Sequence, residues 1–206
     1  MKVYLLAIDK ITDYQQYLKL VTKTRLNKIQ TAQSKKFIIT QILTDVLVRF
    51  ALKAEGYSVL DLELNYDLSG RPNYNLDCCV SISHSNNFIA VVVSKRLVGI
   101  DIQQIKPKHL KLIDRVLDEQ ERKDFALSPN QIIEFYRYWT AKEAAYKTSE
   151  KNAINYHDYT VAGNKIHFAS NVKQVASIQY LDYVITLVTN QEESIELINF
   201  SKDLLS

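Results

Sequence analysis

The longest regular pattern in the chain is a helical repeat of apolar residues near its N-terminus. Apolar side chains recur every three or four positions, at Ile38, Ile39, Ile42, Leu43, Val46, Leu47 and Phe50. Gly56 follows the last repeat, and a glycine just beyond the last turn is typical of a helix end. The pattern predicts a long helix that ends near Gly56. The opening residues, MKVYLLAIDK, predict a first strand, and further helical sequence begins near Asp13.

Strand-like patterns occupy the centre of the chain. Residues 78–94, CCVSISHSNNFIAVVVS, predict a strand, a polar turn from Ser83 to Asn87 and a second strand. Residues 96–105, RLVGIDIQQI, alternate between apolar and polar side chains and predict a third strand. Because the connections between these strands are short, we expect an antiparallel meander.

The remainder of the chain is first helical and then strand-rich. Residues 106–150 have a helical pattern that breaks near Ser128 and Pro129. After Asn152 three strand-like stretches follow, YTVAGNKIHF, VASIQYLDYVITLVT and SIELINF. The order strand, helix, strands, helices, strands predicts the α+β class, and it allows two similar halves joined near residue 105.

Composition narrows the class of protein. The 206 residues are 47% hydrophobic and 24% charged, which suits a packed core, and the net charge of +3 does not by itself indicate nucleic-acid binding. Cys78 and Cys79 are adjacent, which argues against a disulfide or a zinc site and predicts buried, reduced thiols. The apolar run before Asp9 is too short for a signal peptide or a membrane span. We expect a cytoplasmic protein that binds neither nucleic acid nor membrane.

The N-terminal helical sequence is basic. No acidic residue occurs between Asp13 and Asp45, whereas this stretch contains Lys19, Lys23, Arg25, Lys28, Lys35 and Lys36. A solvated basic helix face accounts for such a run, and so does a site for an anion. The charge pattern alone leaves both interpretations open.

Two polar constellations stand out in otherwise apolar segments. In the predicted strand, Asp101 and Gln103 share one face. In FYRYWTAKEAAYK, a helix would align Trp139, Glu143 and Lys147 in one column, although a Glu–Lys pair at this spacing is also an ordinary helix-stabilising contact. Two carboxylates and an amide oxygen are hard ligands that suit Mg²⁺. A nearby lysine is consistent with an anion beside the metal, the arrangement that favours displacement at phosphorus.

At these residues the chain resembles a known family. GIDIQ and WTAKEAAYK are similar to the signature motifs G-[IV]-D-[IV]-x and W-x-x-K-E-[AS]-x-x-K of the 4′-phosphopantetheinyl transferases, of the surfactin-synthetase-activating type. GRP, SISHS and DVLVR match further family segments in the expected order. The resemblance implies two similar α/β halves related by a pseudo-twofold, residues 1–104 and 105–206, with coenzyme A in the cleft between them. The first half would serve the 3′-phosphate and adenine side of coenzyme A, and the second would supply a metal ligand and the phosphate lysine.

The resemblance also implies a reaction. A serine hydroxyl of an apo carrier protein attacks the β-phosphate of coenzyme A, phosphopantetheine moves to the serine, and 3′,5′-ADP leaves, with Mg²⁺ required. By motif position, Asp101 and Glu143 would be metal ligands, and Glu143 or a water it holds would be the base. Lys147 would contact the phosphates. Lys142 would have a secondary, partly structural role.

The resemblance assigns further residues to coenzyme A. Arg71 and Pro72 match the segment near the adenine and ribose phosphate, and Ser83 and His84 match the segment at the 3′-phosphate end. Basic residues of the N-terminal segment also bind the 3′-phosphate in the family. The arginine usual there corresponds to Thr40 in this chain, so Lys28, Lys35 or Lys36 would take its place.

Gln103 departs from the family, which commonly has a glutamate there as a third metal ligand. A glutamine keeps an oxygen donor and removes a negative charge. Its amide oxygen would bind the metal, or hold a metal-bound water, or leave the position to water. Mg²⁺ tolerates several waters, so each arrangement permits activity, with weaker metal binding than a glutamate would give.

Carrier proteins are generally acidic around the modified serine, so the receiving surface would be basic with apolar anchors. One candidate is the segment KPKHLKLIDRV, with Lys106, Lys108, Lys111, Arg115, Leu110, Leu112 and Val116. An amphipathic helix with a solvated face accounts for it equally well. The family implies a monomer. A non-catalytic homologue that binds coenzyme A or a carrier protein is the alternative.

Overall fold

The fold is known from a computed structural model that describes residues 1–68, 70–149 and 153–200. Contacts between residues group the chain into two compact units. The first unit comprises Lys2–Arg96 and the chain from Glu196 onward, and the second comprises Leu97–Ile195 with Met1. This grouping differs from the expected boundary at residues 104 and 105 by one strand and the C-terminal segment. The coenzyme A roles of the two halves stay predictions.

Among its described residues, the first unit contains two α-helices and six strands. In chain order they are β1 (Lys2–Ala7), α1 (Lys23–Gln30), α2 (Lys35–Ala54), β2 (Leu64–Tyr66), β3 (Pro72–Tyr74), β4 (Cys79–Ser85) and β5 (Phe88–Ser94), and the last strand of the chain, Glu196–Asn199, also belongs here. Short 3₁₀ helices span Ile8–Lys10 and Gln15–Leu20.

The second unit contains the remaining elements. They are β6 (Gly99–Gln104), α3 (Ile113–Val116), α4 (Glu119–Leu127), α5 (Gln131–Tyr146), β7 (Tyr159–Ala162), β8 (Lys165–Phe168), β9 (Asn171–Tyr180) and β10 (Tyr183–Thr189), and Glu196–Asn199 becomes β11. Two 3₁₀ helices span Pro107–Leu112 and Tyr156–Asp158. Strands and helices occur in both units, which confirms the α+β class.

Helix α2 packs on the sheet of the first unit. That sheet has the order β11-β1-β5-β4, in which only the β1–β11 pairing is parallel. The predicted apolar stripe is buried in the core together with β1 and β5 from Ile42 to Phe50, and Ile38 and Ile39 pack partly buried against it. The Ser34 side chain accepts a hydrogen bond from the Phe37 N–H at 3.3 Å and caps the helix. Gly56 follows its end with φ of +84°, as predicted for a terminating glycine.

Helix α5 packs on the sheet of the second unit. The sheet is antiparallel in the order β6-β10-β9-β8-β7, and α5 lies against β6 and β10. The Thr140 hydroxyl on α5 lies 2.6 Å from the Thr186 hydroxyl on β10. The Asn130 side chain accepts the Ile133 N–H and caps the N-terminus of α5, just after the break predicted at Ser128 and Pro129.

Two expectations about the central strands were wrong. Strand β6 pairs with β10 and not with β5, so the three central strands form no meander. Alternation within β6 predicts a strand but carries no information about a partner some eighty residues away. The hairpin turn is also tighter than expected: β4 continues to Ser85, and Asn86, with φ of +48°, turns the chain as asparagine readily does. Ser83 and His84 therefore lie in a strand.

None of the helices in the three described stretches of the chain combines the length and the apolar character needed to cross a bilayer.

Candidate functional site

Gly99 is where strand β6 touches helix α5. A Cβ atom at Gly99 would lie 1.9 Å from the carbonyl oxygen of Ala144, so a side chain here would force the strand and the helix apart. Because strand side chains alternate, Asp101 and Gln103 share the face of Gly99 and lie on the α5 side of the sheet. The shared face predicted from the sequence is thus turned toward the helix that carries Glu143.

Asp101 is held by hydrogen bonds from Lys147 and Gln103. The residue is 3% exposed, and its Oδ1 lies 3.0 Å from the ammonium of Lys147. Lys147 follows the last residue of α5, and its Nζ also donates to the Ile100 carbonyl at 2.7 Å. Gln103 Nε2 donates to Asp101 Oδ2 at 3.2 Å. The lysine of the second motif therefore contacts the aspartate of the first.

Glu143 is half-buried on α5, and its carboxylate is held by Tyr156. Its Oε1 accepts a short hydrogen bond from the hydroxyl of Tyr156, which in turn lies 3.3 Å from Nε1 of Trp139. Burial and the negative charge of Asp101 raise the pKa of Glu143 above that of an ordinary glutamate, while the Tyr156 hydrogen bond and Lys147 oppose the rise. Lys147 lies four positions after Glu143 and contacts Asp101, so both carboxylates lie near the same lysine.

Tyr156 was not found from the sequence. It lies in a 3₁₀ turn, where a side chain's direction follows from no helical or strand repeat. Burial and the adjacent Glu143 carboxylate raise the pKa of Tyr156, so its hydroxyl stays protonated and serves as a donor.

The donor set fits Mg²⁺ rather than a softer metal. Asp101, Glu143 and Gln103 provide carboxylate and amide oxygens, and Mg²⁺ needs only one or two carboxylates when water and phosphate fill the other positions. Among residues 1–68, 70–149 and 153–200, no group of three or more His, Cys, Asp or Glu side chains is arranged to hold a metal. With glutamine at 103, the described part of the chain offers this site the carboxylates of Asp101 and Glu143, and a cation would relieve the repulsion between them.

Lys142 points away from this cluster. Its ammonium is fully buried, 2.5 Å from Oε2 of Glu121 and 2.8 Å from the Val116 carbonyl. Glu121 is equally buried and also accepts the N–H groups of Asp118 and Val161. This internal ion pair agrees with the partly structural role expected for Lys142. The sequence pattern did not identify Glu121 as the partner of Lys142.

The other residues assigned to coenzyme A lie in the first unit. Arg71 closes a turn with Asp67, whose Oδ1 accepts the Arg71 N–H at 2.9 Å, and Pro72 opens β3. Ser83 and His84 are neighbours in β4, so their side chains lie on opposite faces of the sheet, Ser83 buried and His84 exposed. Because β4 stands at one end of the strand order β11-β1-β5-β4, a ligand that contacts both side chains would lie along that edge of the sheet.

The basic N-terminal residues do not act alike. Arg25 is buried, and its Nε lies 2.6 Å from Oδ1 of Asp45, so it is an internal structural cation. Lys28 lies with its Nζ 3.5 Å from the centre of the Tyr66 ring, a cation–π contact. Lys35 and Lys36 are exposed in the first turn of α2. Thr40, at the family's arginine position, donates its hydroxyl to the Lys36 carbonyl.

A cavity adjoins the first turn of α2. It has a volume of about 590 Å³ and is lined by Ile8, Asp9, Lys35, Lys36, Ile39, Asn86 and Asn87. Lys28 is not among its lining residues, so the three candidate lysines do not form a single cluster here.

Of the three apolar anchors expected for a carrier-protein surface, Val116 is wrong because it is buried. Residues 106–116 form a 3₁₀ helix and α3, from which Lys108, Lys111 and Arg115 are exposed. Val116 is 1% exposed and belongs to the core of the second unit. Leu110 and Leu112 are half-buried and pack against the same cluster, so their role as anchors stays a prediction. The exposed basic residues fit a solvated face.

The residues of this cluster lie in a part of the chain that is similar to known proteins. Residues 97–191, which contain Asp101, Gln103, Glu143 and Lys147, match the family model described as the 4′-phosphopantetheinyl transferase superfamily. Over 159 residues the chain is 26% identical to a 4′-phosphopantetheinyl transferase of Bacillus subtilis, covering 73% of this chain and 71% of the relative. It is 25% identical over 167 residues to the 4′-phosphopantetheinyl transferase psf-1 of Bacillus pumilus, covering 73% and 70%. It is 24% identical over 159 residues to the 4′-phosphopantetheinyl transferase Sfp of Bacillus subtilis strain 168, covering 73% and 71%.

Proposed function

Because the chain belongs to the 4′-phosphopantetheinyl transferase superfamily, we propose that it transfers 4′-phosphopantetheine from coenzyme A to a serine of an apo carrier protein. The proposed reaction releases 3′,5′-ADP and uses Mg²⁺. One observation carries the proposal: the two motifs, far apart in the sequence, bring Asp101, Glu143 and Lys147 into one cluster.

Asp101 and Glu143 are the residues we assign to Mg²⁺, with Gln103 beside them. A bound Mg²⁺ would neutralise charge on the pyrophosphate of coenzyme A. Gln103 donates its amide N–H to Asp101, so its simplest role is to orient that ligand. In this arrangement Gln103 does not bind the metal, and a water takes the position that a glutamate would occupy.

Glu143 is the proposed base for the serine hydroxyl. A raised pKa makes its carboxylate a better proton acceptor near neutral pH, and burial is the main cause of that rise. In the step we propose, the serine oxygen bonds to the β-phosphorus of coenzyme A and its proton passes to Glu143. The bond from that phosphorus to the oxygen of the leaving 3′,5′-ADP breaks.

Lys147 is the proposed phosphate contact. An ammonium has three N–H donors, and Ile100 and Asp101 accept two of them. We assign the third to a phosphate oxygen of coenzyme A, where the positive charge offsets the charge that develops on the leaving oxygen.

For the nucleotide part of coenzyme A we propose Arg71, Pro72, Ser83 and His84, with Lys28, Lys35 and Lys36 as candidates for the 3′-phosphate. Exposure at a helix N-terminus beside a cavity favours Lys35 and Lys36. Replacing both with alanine is then expected to raise the KM for coenzyme A several-fold and to leave the KM for 3′-dephospho-coenzyme A unchanged. An equal rise for both substrates would contradict the assignment.

The function is tested by incubating the protein with coenzyme A, Mg²⁺ and several apo carrier proteins, and by weighing each carrier by mass spectrometry. We expect at least one carrier to gain the mass of one phosphopantetheine. The alternative, a homologue that binds without turnover, is suggested by Gln103 and Thr40, which depart from the family pattern. If coenzyme A binds and no carrier gains mass, the alternative holds. We further propose a cytoplasmic monomer whose carrier specificity the same panel would reveal.

A further inference from the structure

The hydroxyl of Tyr156 contacts the carboxylate of Glu143. Tyr156 lies thirteen positions after Glu143, outside both motifs, and its hydroxyl is hydrogen-bonded to Oε1 of Glu143. Trp139, one helical turn before Glu143 on α5, lies 3.3 Å from the same hydroxyl through its indole Nε1. The three side chains form a chain that ends on the proposed metal ligand and base.

The direction of this chain is fixed by its first member. An indole N–H can donate and cannot accept, so the oxygen of Tyr156 accepts from Trp139. The hydroxyl proton of Tyr156 is then directed to Glu143, and an ionised carboxylate can only accept it. The bond uses one oxygen of Glu143 and leaves its other lone pairs available to a metal or a serine hydroxyl.

Tyr156 is itself held by neighbouring residues. The Asn155 side chain accepts the N–H of His157 at 3.4 Å and donates to Asp158 Oδ1 at 2.9 Å, which fixes the 3₁₀ turn. The ring of His157 lies 3.1 Å from the carbonyl of Asp114 and ties the turn to α3. The ring of Tyr156 packs against the apolar cluster beneath α5. These contacts hold the turn in place and thereby fix the position of the Tyr156 hydroxyl.

A second neutral donor has the same relation to the other carboxylate. Gln103 Nε2 lies 3.2 Å from Oδ2 of Asp101. Each carboxylate of the pair thus has its own uncharged hydrogen-bond donor, Gln103 for Asp101 and Tyr156 for Glu143. Such partners of metal ligands fix ligand orientation, and their loss typically costs about 10- to 100-fold in metal affinity or activity.

Building on the function proposed above, we propose that Tyr156 is a positioning residue: it holds the Glu143 carboxylate in the orientation in which it binds Mg²⁺ and accepts the serine proton. Tyr156 touches neither substrate nor metal in this account and acts only through Glu143. The role requires the hydroxyl and not the ring.

The single tryptophan of the chain provides a readout that does not depend on turnover. Trp139 is hydrogen-bonded to the Tyr156 hydroxyl that contacts Glu143, so its fluorescence is expected to change when MgCl₂ is added in the presence of coenzyme A. In Tyr156→Phe, which keeps the ring, we expect the midpoint of the Mg²⁺ titration to rise about tenfold. Tyr159→Phe is the matched control, since it removes the hydroxyl of a buried tyrosine that donates to Ser149, and its midpoint should stay unchanged.

Steady-state transfer gives the second readout. In Tyr156→Phe we expect kcat to fall about tenfold with the KM for coenzyme A unchanged, and Tyr159→Phe to retain the wild-type kcat. Trp139→Phe, which keeps the Tyr156 hydroxyl and removes its donor, should raise the Mg²⁺ requirement of transfer by a smaller factor. Equal Mg²⁺ midpoints in wild type and Tyr156→Phe would overturn the positioning role. If the midpoint shifts while wild type transfers nothing, the positioning role stands and the proposed function fails.

Discussion

Lys142 and Glu121 form a buried ion pair whose loss should destabilise the second unit strongly. Their side chains are 0% and 1% exposed, and the charged atoms lie 2.5 Å apart. In Lys142→Met the carboxylate of Glu121 stays buried without its counter-charge. Removing one member of such a pair costs about 3–5 kcal/mol, because the remaining charge stays buried without a counter-charge.

An exposed ion pair on the same unit is the matched control. Lys123 and Glu119 lie 2.9 Å apart in helix α4, with side chains 64% and 79% exposed. Lys123→Met removes the same ammonium group, which in both pairs lies within hydrogen-bond distance of its carboxylate partner. Because water solvates both partners, its loss should cost about 0.2–0.5 kcal/mol.

Urea unfolding followed by Trp139 fluorescence measures both costs, since this tryptophan lies in the same unit as the two pairs. We expect a loss of about 3–5 kcal/mol in Lys142→Met and a near-wild-type midpoint in Lys123→Met. Equal losses in the two variants would refute the argument that burial decides the energy of these pairs.

The cost of Lys142→Met should also depend on pH. Burial raises the pKa of Glu121, and Lys142 is the main opposing influence. Without the lysine, the pKa of the folded protein lies further above that of the unfolded chain, so the folded state binds a proton more readily. Stability of the variant is then lost as the pH rises through that pKa. The deficit relative to wild type should be smaller at pH 5 than at pH 8, and a deficit independent of pH would contradict this explanation.

Two further substitutions test the geometry of the site. Gln103→Glu should lower the Mg²⁺ concentration for half-maximal transfer, because a third carboxylate beside Asp101 raises the repulsion that a cation relieves; an unchanged requirement would place residue 103 away from the metal. Gly99→Ala should cost at least about 1–3 kcal/mol in urea unfolding, because its Cβ would lie 1.9 Å from the Ala144 carbonyl oxygen. A wild-type midpoint would show that β6 and α5 separate without loss.

Most of the helices and strands could be predicted from the sequence because each has its own local repeat of apolar and polar residues. Helix α2 buries one stripe of side chains, so its apolar positions recur at the helical period and its end carries a glycine. The partner of β6 could not be predicted in this way. Alternation reports that one face of a strand differs from the other, whereas the pairing with β10 depends on contacts distant in sequence.

The site was predicted to the extent that its residues follow a repeat. Asp101 and Gln103 share a face at the period of a strand, and Glu143 and Lys147 share a column at the period of a helix. Tyr156 could not be predicted as a site residue because its 3₁₀ turn imposes no such repeat.

The charged residues were harder to interpret. The sequence places Arg25 in a basic run that fits a solvated helix face or an anion site. In the structure it is buried against Asp45, because charge alone does not reveal which side of a short helix faces the core. Val116, an expected surface anchor, is buried for the same reason.

The most direct test of the account compares transfer by wild type, Asp101→Ala and Glu143→Ala under saturating Mg²⁺ and coenzyme A. The carrier protein modified by wild type is weighed after equal times with each variant. We expect both variants to lose nearly all transfer while circular dichroism shows them folded, since each loses one of the two carboxylates assigned to the metal. If either folded variant modifies the carrier at close to the wild-type rate, its residue lies outside the metal site and the central claim is contradicted.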